Sequence, residues 1–136
     1  MTTDQEILNS IKEGNRLKGY QKEIQQHLSK NPRSIVILDD DPTGTQTVQN
    51  IPVVTKWSEA VLEKELVESP IFFILTNSRS LQKEEAKVLA FTIGQRLQKI
   101  ALKYHKNLLL ISRSDSTLRG HYPSEVDALS IGLGQN

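Results

Sequence analysis

The chain has 136 residues, of which 37% are hydrophobic and 24% are charged, and its formal net charge is +1. This composition is typical of one globular domain, and the near-neutral charge gives no general attraction for nucleic acid or for an anionic membrane surface. The absence of cysteine excludes disulfide bonds, thiolate metal sites and a cysteine nucleophile. The sequence begins without a signal-peptide pattern and has no run near the roughly 20 apolar residues of a membrane span, so we expect a cytoplasmic location.

Residues 1–33 are polar and are predicted to form a helical extension. Apolar side chains, among them Ile7, Ile24 and Leu28, recur at helical spacing through this segment, with glycines between them. The pattern predicts two short helices or one broken helix.

The remaining sequence alternates strand-like and helix-like segments. Apolar, β-prone runs bounded by turn residues predict strands at 34–38, 51–55, 71–75 and 108–111. Helical periodicity predicts helices at 59–68, at 80–104 and from about 122 onwards. Alternation of this kind indicates an α/β fold, with a mostly parallel sheet in a three-layer α/β/α arrangement.

The last predicted helix fades near Gly132. A four-stranded sheet that ends there leaves an edge uncovered, which isolated domains usually avoid. We therefore expect residues 34–136 to be part of a larger domain. We also expect the uncovered edge to favour a homo-oligomer.

Three carboxylates follow the first predicted strand at Asp39, Asp40 and Asp41. Pro42 and Gly44 then supply a tight turn. Ligands bind at the carboxyl ends of strands in open α/β sheets, which makes these residues a candidate site. Because three like charges in one pocket repel, we expect Asp40 and Asp41 to face a ligand and the third carboxylate to cap a turn; the alternative is an acidic turn without a ligand.

The fourth predicted strand runs into a second polar segment at 112–121, which combines hydroxyl, guanidinium, carboxylate and imidazole groups. Arg113 or Arg119 can hold a substrate carboxylate, and Asp115 can hold a hydroxyl. In the alternative interpretation, Asp115 and Ser116 bond local amides and the arginines pair with the aspartates above. His121 either fixes a loop or transfers protons.

The third predicted strand is followed by Asn77, Ser78 and Arg79. These side chains either contact the ligand or form the turn and cap before the next helix. Trp57, near a helix start, is expected to pack in the core.

These segments, 39–48 (DDDPTGTQTV), 75–81 (LTNSRSL) and 112–123 (SRSDSTLRGHYP), resemble the four-carbon acid sugar kinases. The resemblance covers about residues 34–134. It implies a two-domain ATP-dependent kinase whose N-terminal domain binds a sugar acid such as threonate, erythronate or an oxo-tetronate. The resemblance also implies a C-terminal domain that binds ATP, with Mg²⁺ as a cofactor of the full-length kinase.

The candidate site assigns catalysis to Asp40 and Asp41 and predicts no metal ligand. The predicted substrate-binding residues are Asp39, Thr43, Gly44, Asn77, Ser78, Arg79, Arg113, Asp115, Ser116, Thr117, Arg119, Gly120 and His121. The sequence has no glycine-rich phosphate loop of the Walker type, and the nucleotide-binding half of the family is missing from it. We therefore expect this chain alone to bind neither ATP nor Mg²⁺ and to be inactive as a kinase.

The sequence leaves two other functions open. The chain is either a non-catalytic sugar-acid-binding or structural remnant, or a phosphatase of the haloacid-dehalogenase type. In the phosphatase, Asp39 is the nucleophile and Asp41 the acid and base, with magnesium between them. That chemistry also needs a later lysine and a late acidic pair at a strand end, and no predicted strand here ends in such a pair.

Overall fold

The computed structural model describes residues 20–30, 32–115 and 119–135. The chain divides between Pro32 and Arg33 into two units. Within the described residues, no helix has the length and apolar character needed to cross a membrane.

The first unit contains helix α1, Tyr20–Lys30. Tyr20, Ile24 and Leu28 recur every four residues along it, which places them on one face of the helix. The sequence also predicts helix before Tyr20, but those residues lie outside the described part of the chain.

The second unit alternates strands and helices in the predicted order. Its strands are β1 (Arg33–Asp39), β2 (Val53–Val54), β3 (Ile71–Leu75) and β4 (Asn107–Arg113). Its helices are α2 (Glu59–Glu68), α3 (Lys83–Tyr104) and α4 (Ser124–Gly132), with short 3-10 turns at Thr45–Thr47 and Ser78–Ser80.

The four strands form one sheet in the order β2-β3-β1-β4, and every neighbouring pair is parallel. Helices flank this sheet, as in a three-layer α/β/α fold, so the predicted fold class is confirmed. Strand β1 lies between β3 and β4 and is buried along most of its length. Its continuous apolar run is typical of a central parallel strand.

One apolar core joins the sheet to the helices of the second unit. Its members include Val36, Leu38, Phe72 and Ile74 from the strands, with Leu62, Leu66, Ile93 and Leu97 from α2 and α3. Trp57 is partly buried against this core, as expected. The apolar stripe predicted for the long helix therefore serves packing.

Several element boundaries differ from the sequence prediction: β1 is Arg33–Asp39 instead of 34–38, and α4 begins at Ser124 instead of about residue 122. Helix α3 begins at Lys83 instead of residue 80, because Ser78–Ser80 forms a 3-10 turn and Gln82 caps the helix in a capping box with Glu85. Strand β4 continues to Arg113, since its backbone pairs with β1 as far as Asp39. Strand β2 is limited to Val53–Val54, which are the two residues that pair with β3.

Strand β4 is an edge of the sheet. It exposes Leu109 and Ile111, and an exposed edge of apolar residues is a surface on which another chain can pair. The homo-oligomer expected from the sequence remains a prediction.

Helices α3 and α4 approach each other closely at two glycines. A Cβ atom added to Gly94 would lie 2.8 Å from the carbonyl oxygen of Leu129, and one added to Gly132 would lie 2.4 Å from the carbonyl oxygen of Phe91. Both obstacles are backbone atoms, so a neighbouring side chain cannot relieve the clash by changing its rotamer. The two glycines therefore set the distance between the helices.

We predict that Gly94→Ala destabilises the protein. In an ordinary helix this change stabilises by about 0.8–1.0 kcal/mol, but here the new methyl group forces α4 away, and we expect the free energy of unfolding to fall by about 1–2 kcal/mol. Urea unfolding measures the difference. Thr92→Ala, on the same helix, serves as the control and should be neutral or slightly stabilising; a stabilised Gly94→Ala variant would contradict the close packing.

Candidate functional site

The three polar segments meet at the carboxyl edge of the sheet. Asp39, the last residue of β1, pairs with Leu75 at the end of β3 and with Arg113 at the end of β4. The backbone N–H of Thr76 donates to the carbonyl oxygen of Asp39 at 2.9 Å. Because β1 is central, its acidic end is flanked by the segments that follow both neighbours.

Asp40 and Arg79 form a two-point salt bridge. Arg79 Nη2 lies 3.0 Å from Asp40 Oδ1, and Arg79 Nε lies 3.2 Å from Asp40 Oδ2. The backbone N–H of Asp115 also donates to Asp40 Oδ2, at 2.9 Å. Asp40 is buried, and its carboxylate therefore joins the residues after β3 to the residues after β4.

Arg79 contacts two further carboxylates. Its Nη1 pairs with Asp41 Oδ2, and its Nη2 lies 3.8 Å from Asp115 Oδ2. The neighbouring carboxylates, Asp40 first, raise the pKa of Arg79. A single guanidinium group thus faces acids from two strand ends.

Arg113 pairs with Asp39 from the other side. Its Nη1 lies 2.7 Å from Asp39 Oδ1 and 3.7 Å from Asp41 Oδ1, and hydrogen bonding to Asp39 raises its pKa. Asp39 is fully buried, and its Oδ2 has no hydrogen-bond partner among the described residues. Of the two arginines in segment 112–121, Arg113 thus pairs with an aspartate after the first predicted strand, as the alternative interpretation expected, whereas Arg119 has no such pair among the described residues.

We call Asp39, Asp40, Asp41, Asp115, Arg79 and Arg113 the acid–arginine cluster. Its four carboxylates outnumber its two guanidinium groups, so it retains negative charge. Buried carboxylates need such partners, because an isolated charge loses its hydration.

Asp41 is held in a turn by Thr43. Its Oδ1 accepts a hydrogen bond from the Thr43 backbone N–H at 2.9 Å and another from the Thr43 hydroxyl group. These bonds, with smaller contributions from Arg79 and Arg113, lower the pKa of Asp41. Asp41 is therefore ionised throughout the neutral pH range.

Two predicted site glycines lie against the acidic residues. A Cβ atom on Gly44 would lie 2.2 Å from Asp39 Oδ2 and 2.8 Å from Arg113 Cζ. A Cβ atom on Gly120 would lie 1.7 Å from the carbonyl oxygen of Asp115. Gly120 therefore cannot carry a side chain without moving the Asp115 backbone, and a side chain at Gly44 would displace the paired side chains of Asp39 and Arg113.

Asn77 and Ser78 have local roles. Asn77 adopts a left-handed backbone conformation with φ 52° before the 3-10 turn, and its side-chain amide donates to Ser80 Oγ at 3.2 Å. Ser78 is buried, and its Oγ lies 3.1 Å from Thr76 Oγ1. Of the three residues predicted after β3, only Arg79 reaches the acid–arginine cluster.

The predicted site residues after β4 differ in their exposure and in their contacts. Arg119 is exposed, and within the described part of the chain it forms no salt bridge. His121 Nε2 lies 2.9 Å from the carbonyl oxygen of Leu81, a contact that ties this loop to the start of α3. The predicted residues Ser116 and Thr117 lie outside the described residues.

The aspartates have the oxygen ligands that Mg²⁺ prefers, and oxygens of Asp39, Asp40 and Asp41 lie within 4.8 Å of one another. Arginine nitrogens already lie between them, as Arg113 Nη1 does between Asp39 and Asp41. Because those positive charges repel a divalent cation, the cluster fits ion pairing and does not fit a resident metal. The expectation of no metal ligand remains a prediction.

The phosphatase alternative fits this geometry poorly. A nucleophilic Asp39 must approach a phosphoryl group, yet its side chain is fully buried and paired with Arg113. Attack would require opening the ion pair and exposing the end of β1.

Sequence reasoning missed Glu125. It is buried in the first turn of α4, and it lines the same small cavity as Asp40, Ser78 and Ser114. The sequence places it four residues after His121, and an acidic residue there is typical of the first turn of any helix. Only its burial distinguishes it.

Residues 35–136 match the model of a protein family described as the sugar-binding N-terminal domain. The chain belongs to this family. The sugar-binding N-terminal domain is found in four-carbon acid sugar kinases, which confirms the resemblance seen in the sequence, and sugar binding is the role that membership supports. The matched residues include all three polar segments of the site. No curated protein sequence and no solved structure matches the chain.

We predict that Thr43→Val lowers stability in a pH-dependent way. The hydroxyl bond lowers the pKa of Asp41 below its ordinary value of 3.8. The hydroxyl hydrogen bond therefore stabilises the folded protein at pH values above 3.8. This stabilisation is lost as the pH falls through the lowered pKa of Asp41. Thermal unfolding between about pH 2 and pH 7 should show a melting-temperature difference that is largest near neutrality and shrinks in acid.

Thr45→Val is the control, because Thr45 donates its hydroxyl to the carbonyl oxygen of Pro42 and not to an ionisable group. Its effect should not depend on pH. An equal effect of Thr43→Val at every pH would contradict the link to Asp41.

Proposed function

We propose that this chain is the sugar-acid-binding part of an ATP-dependent kinase that phosphorylates a hydroxyl group of a four-carbon sugar acid. The observation that carries the proposal is the acid–arginine cluster, which gathers polar side chains from three strand ends within the segment matched to the sugar-binding N-terminal domain. Threonate, erythronate and their oxo forms are the substrates of this class.

Arg119 is the residue proposed to hold the substrate carboxylate. Arg79 and Arg113 are committed to aspartates, whereas Arg119 is exposed beside the same segment. A guanidinium group binds a carboxylate through two parallel hydrogen bonds. The remaining negative charge of the cluster repels a second carboxylate, which favours binding of the acid group on the Arg119 side.

The aspartates are proposed to bind and deprotonate the sugar hydroxyl. The Asp41 side chain is 13% exposed and that of Asp40 is 4% exposed, so Asp41 is the more accessible acceptor. Asp41 is ionised at neutral pH and can therefore accept the hydroxyl proton, although its lowered pKa makes it a weaker base than an ordinary aspartate. Asp40 then holds Arg79 and the backbone of Asp115 in place.

Phosphoryl transfer also needs a bound nucleotide in line with the acceptor hydroxyl. In this proposal ATP and Mg²⁺ are held by a second, C-terminal domain, which is the partner of this chain. When bound there, they supply the phosphoryl group and offset its charge. The residues of this chain bind the acid, orient its hydroxyl group and accept the proton.

A direct test is sugar-acid binding. Threonate or erythronate should raise the melting temperature of the chain by mass action, and Arg119→Ala should abolish the shift because the carboxylate loses its partner. Arg33→Ala is the matched control, since it removes the same charge at the amino end of β1 and should leave the shift unchanged. No shift with any four-carbon acid would favour a structural remnant.

A second test concerns turnover. The purified chain with ATP, Mg²⁺ and threonate should give no phosphorylated product, because the nucleotide lacks its binding domain. Co-expression with a nucleotide-binding domain of the family should give turnover that Asp41→Asn reduces by about 100-fold or more. Turnover by the chain alone that is lost in Asp40→Asn would contradict the two-domain proposal.

A further inference from the structure

A small cavity lies beside the acid–arginine cluster, where the ends of β1, β3 and β4 meet α4. Its polar lining comes from Asp40, Thr76, Ser78, Ser112, Arg113, Ser114 and Glu125, and apolar residues such as Leu38 and Leu129 complete it. Its volume of about 10 Å³ is close to the smallest that holds one water-sized group. The cavity can therefore receive a single hydroxyl group.

Glu125 is the unexplained residue of this cavity. It is 7% exposed, and its Oε2 has no hydrogen-bond partner among the described residues. Buried polar atoms nearly always have partners, so an orphaned carboxylate oxygen of a residue that lines this cavity indicates a missing donor. That donor must come from a water molecule or a ligand.

The other polar side chains around the cavity have partners elsewhere, and Arg113 among them pairs with Asp39 at 2.7 Å. Thr76 Oγ1 donates within the strand-end network, to Asp39 O at 3.0 Å, and Ser112 Oγ lies 2.8 Å from Ser114 Oγ. Asp40 is occupied by Arg79 and by the Asp115 backbone. None of these groups donates to Glu125.

We propose that Glu125 accepts a hydrogen bond from one hydroxyl group of the sugar acid and selects for acids that carry a hydroxyl at that position. The inference rests on the proposed function, because it places the hydroxyl of the same ligand. A carboxylate acceptor rejects an analogue that lacks the hydroxyl, since its oxygen then stays buried without a partner. Glu125 is therefore a specificity-determining residue.

The test compares threonate with its three monodeoxy analogues by calorimetry. On the unaltered chain, one analogue should bind about tenfold more weakly or worse than threonate because of Glu125. In Glu125→Met, which keeps a similar side-chain length without a carboxylate, threonate should lose a similar factor. Discrimination against that one analogue should disappear while discrimination at the other positions remains.

Asp127→Asn is the matched control, because Asp127 is an exposed acid in the same first turn of α4, and it should change neither affinity nor discrimination. A stability readout separates ligand binding from a structural role. Removal of a buried acceptor without a partner should leave the melting temperature of Glu125→Met, without ligand, unchanged or higher. A marked fall would show that Glu125 holds the fold, and would overturn the inference.

The outcomes for the two proposals are distinct. If the unaltered chain binds no four-carbon acid, the proposed function fails and this inference fails with it. If it binds threonate but Glu125→Met keeps the full discrimination among the analogues, only the role of Glu125 is overturned. The role of Glu125 is also overturned if the unaltered chain binds all three analogues as tightly as threonate. This comparison needs no variant.

Discussion

Arg79 faces carboxylates from two strand ends, and the rest of the site depends on this contact. It pairs with Asp40 and Asp41 after β1 and approaches Asp115 after β4. Without the guanidinium group, acids gathered at one sheet edge would repel one another at low solvent exposure, where charge interactions are strong. The position of β1 between β3 and β4 allows an arginine to reach its acids from each side.

The three arginines of the site differ in their surroundings. Arg79 and Arg113 pair with the acids that end and follow β1, whereas Arg119 is exposed and has no salt bridge among the described residues. Fixed dipoles and charges bind a polar ligand without having to reorganise. The excess of carboxylates over the committed arginines makes the cluster suited to hydroxyl donors and unsuited to a second acid group.

The glycines at the site follow from the same packing. Gly44 lies against the Asp39–Arg113 ion pair, and Gly120 lies against the backbone of Asp115. A side chain at either position would displace an acid that other residues hold. Glu125 extends this picture, since it brings a further buried carboxylate to the cavity beside the cluster. The polar motifs therefore combine the groups that we propose bind the ligand with the residues that keep them in place.

The sequence by itself determined the order of strands and helices, the fold class and the edge at which the polar segments lie. These features depend on local rules: apolar periodicity, turn residues and the geometry of parallel strands. It predicted helix α2 at residues 59–68 and strand β3 at residues 71–75 with the observed bounds. Only the tertiary structure decided which partners meet, because the sheet order brings Arg79 to Asp40 across 39 residues and Arg113 to Asp39 across 74. The burial of Glu125 was likewise decided by helix packing, since it depends on what surrounds the first turn of α4 and not on the residues next to it in the chain.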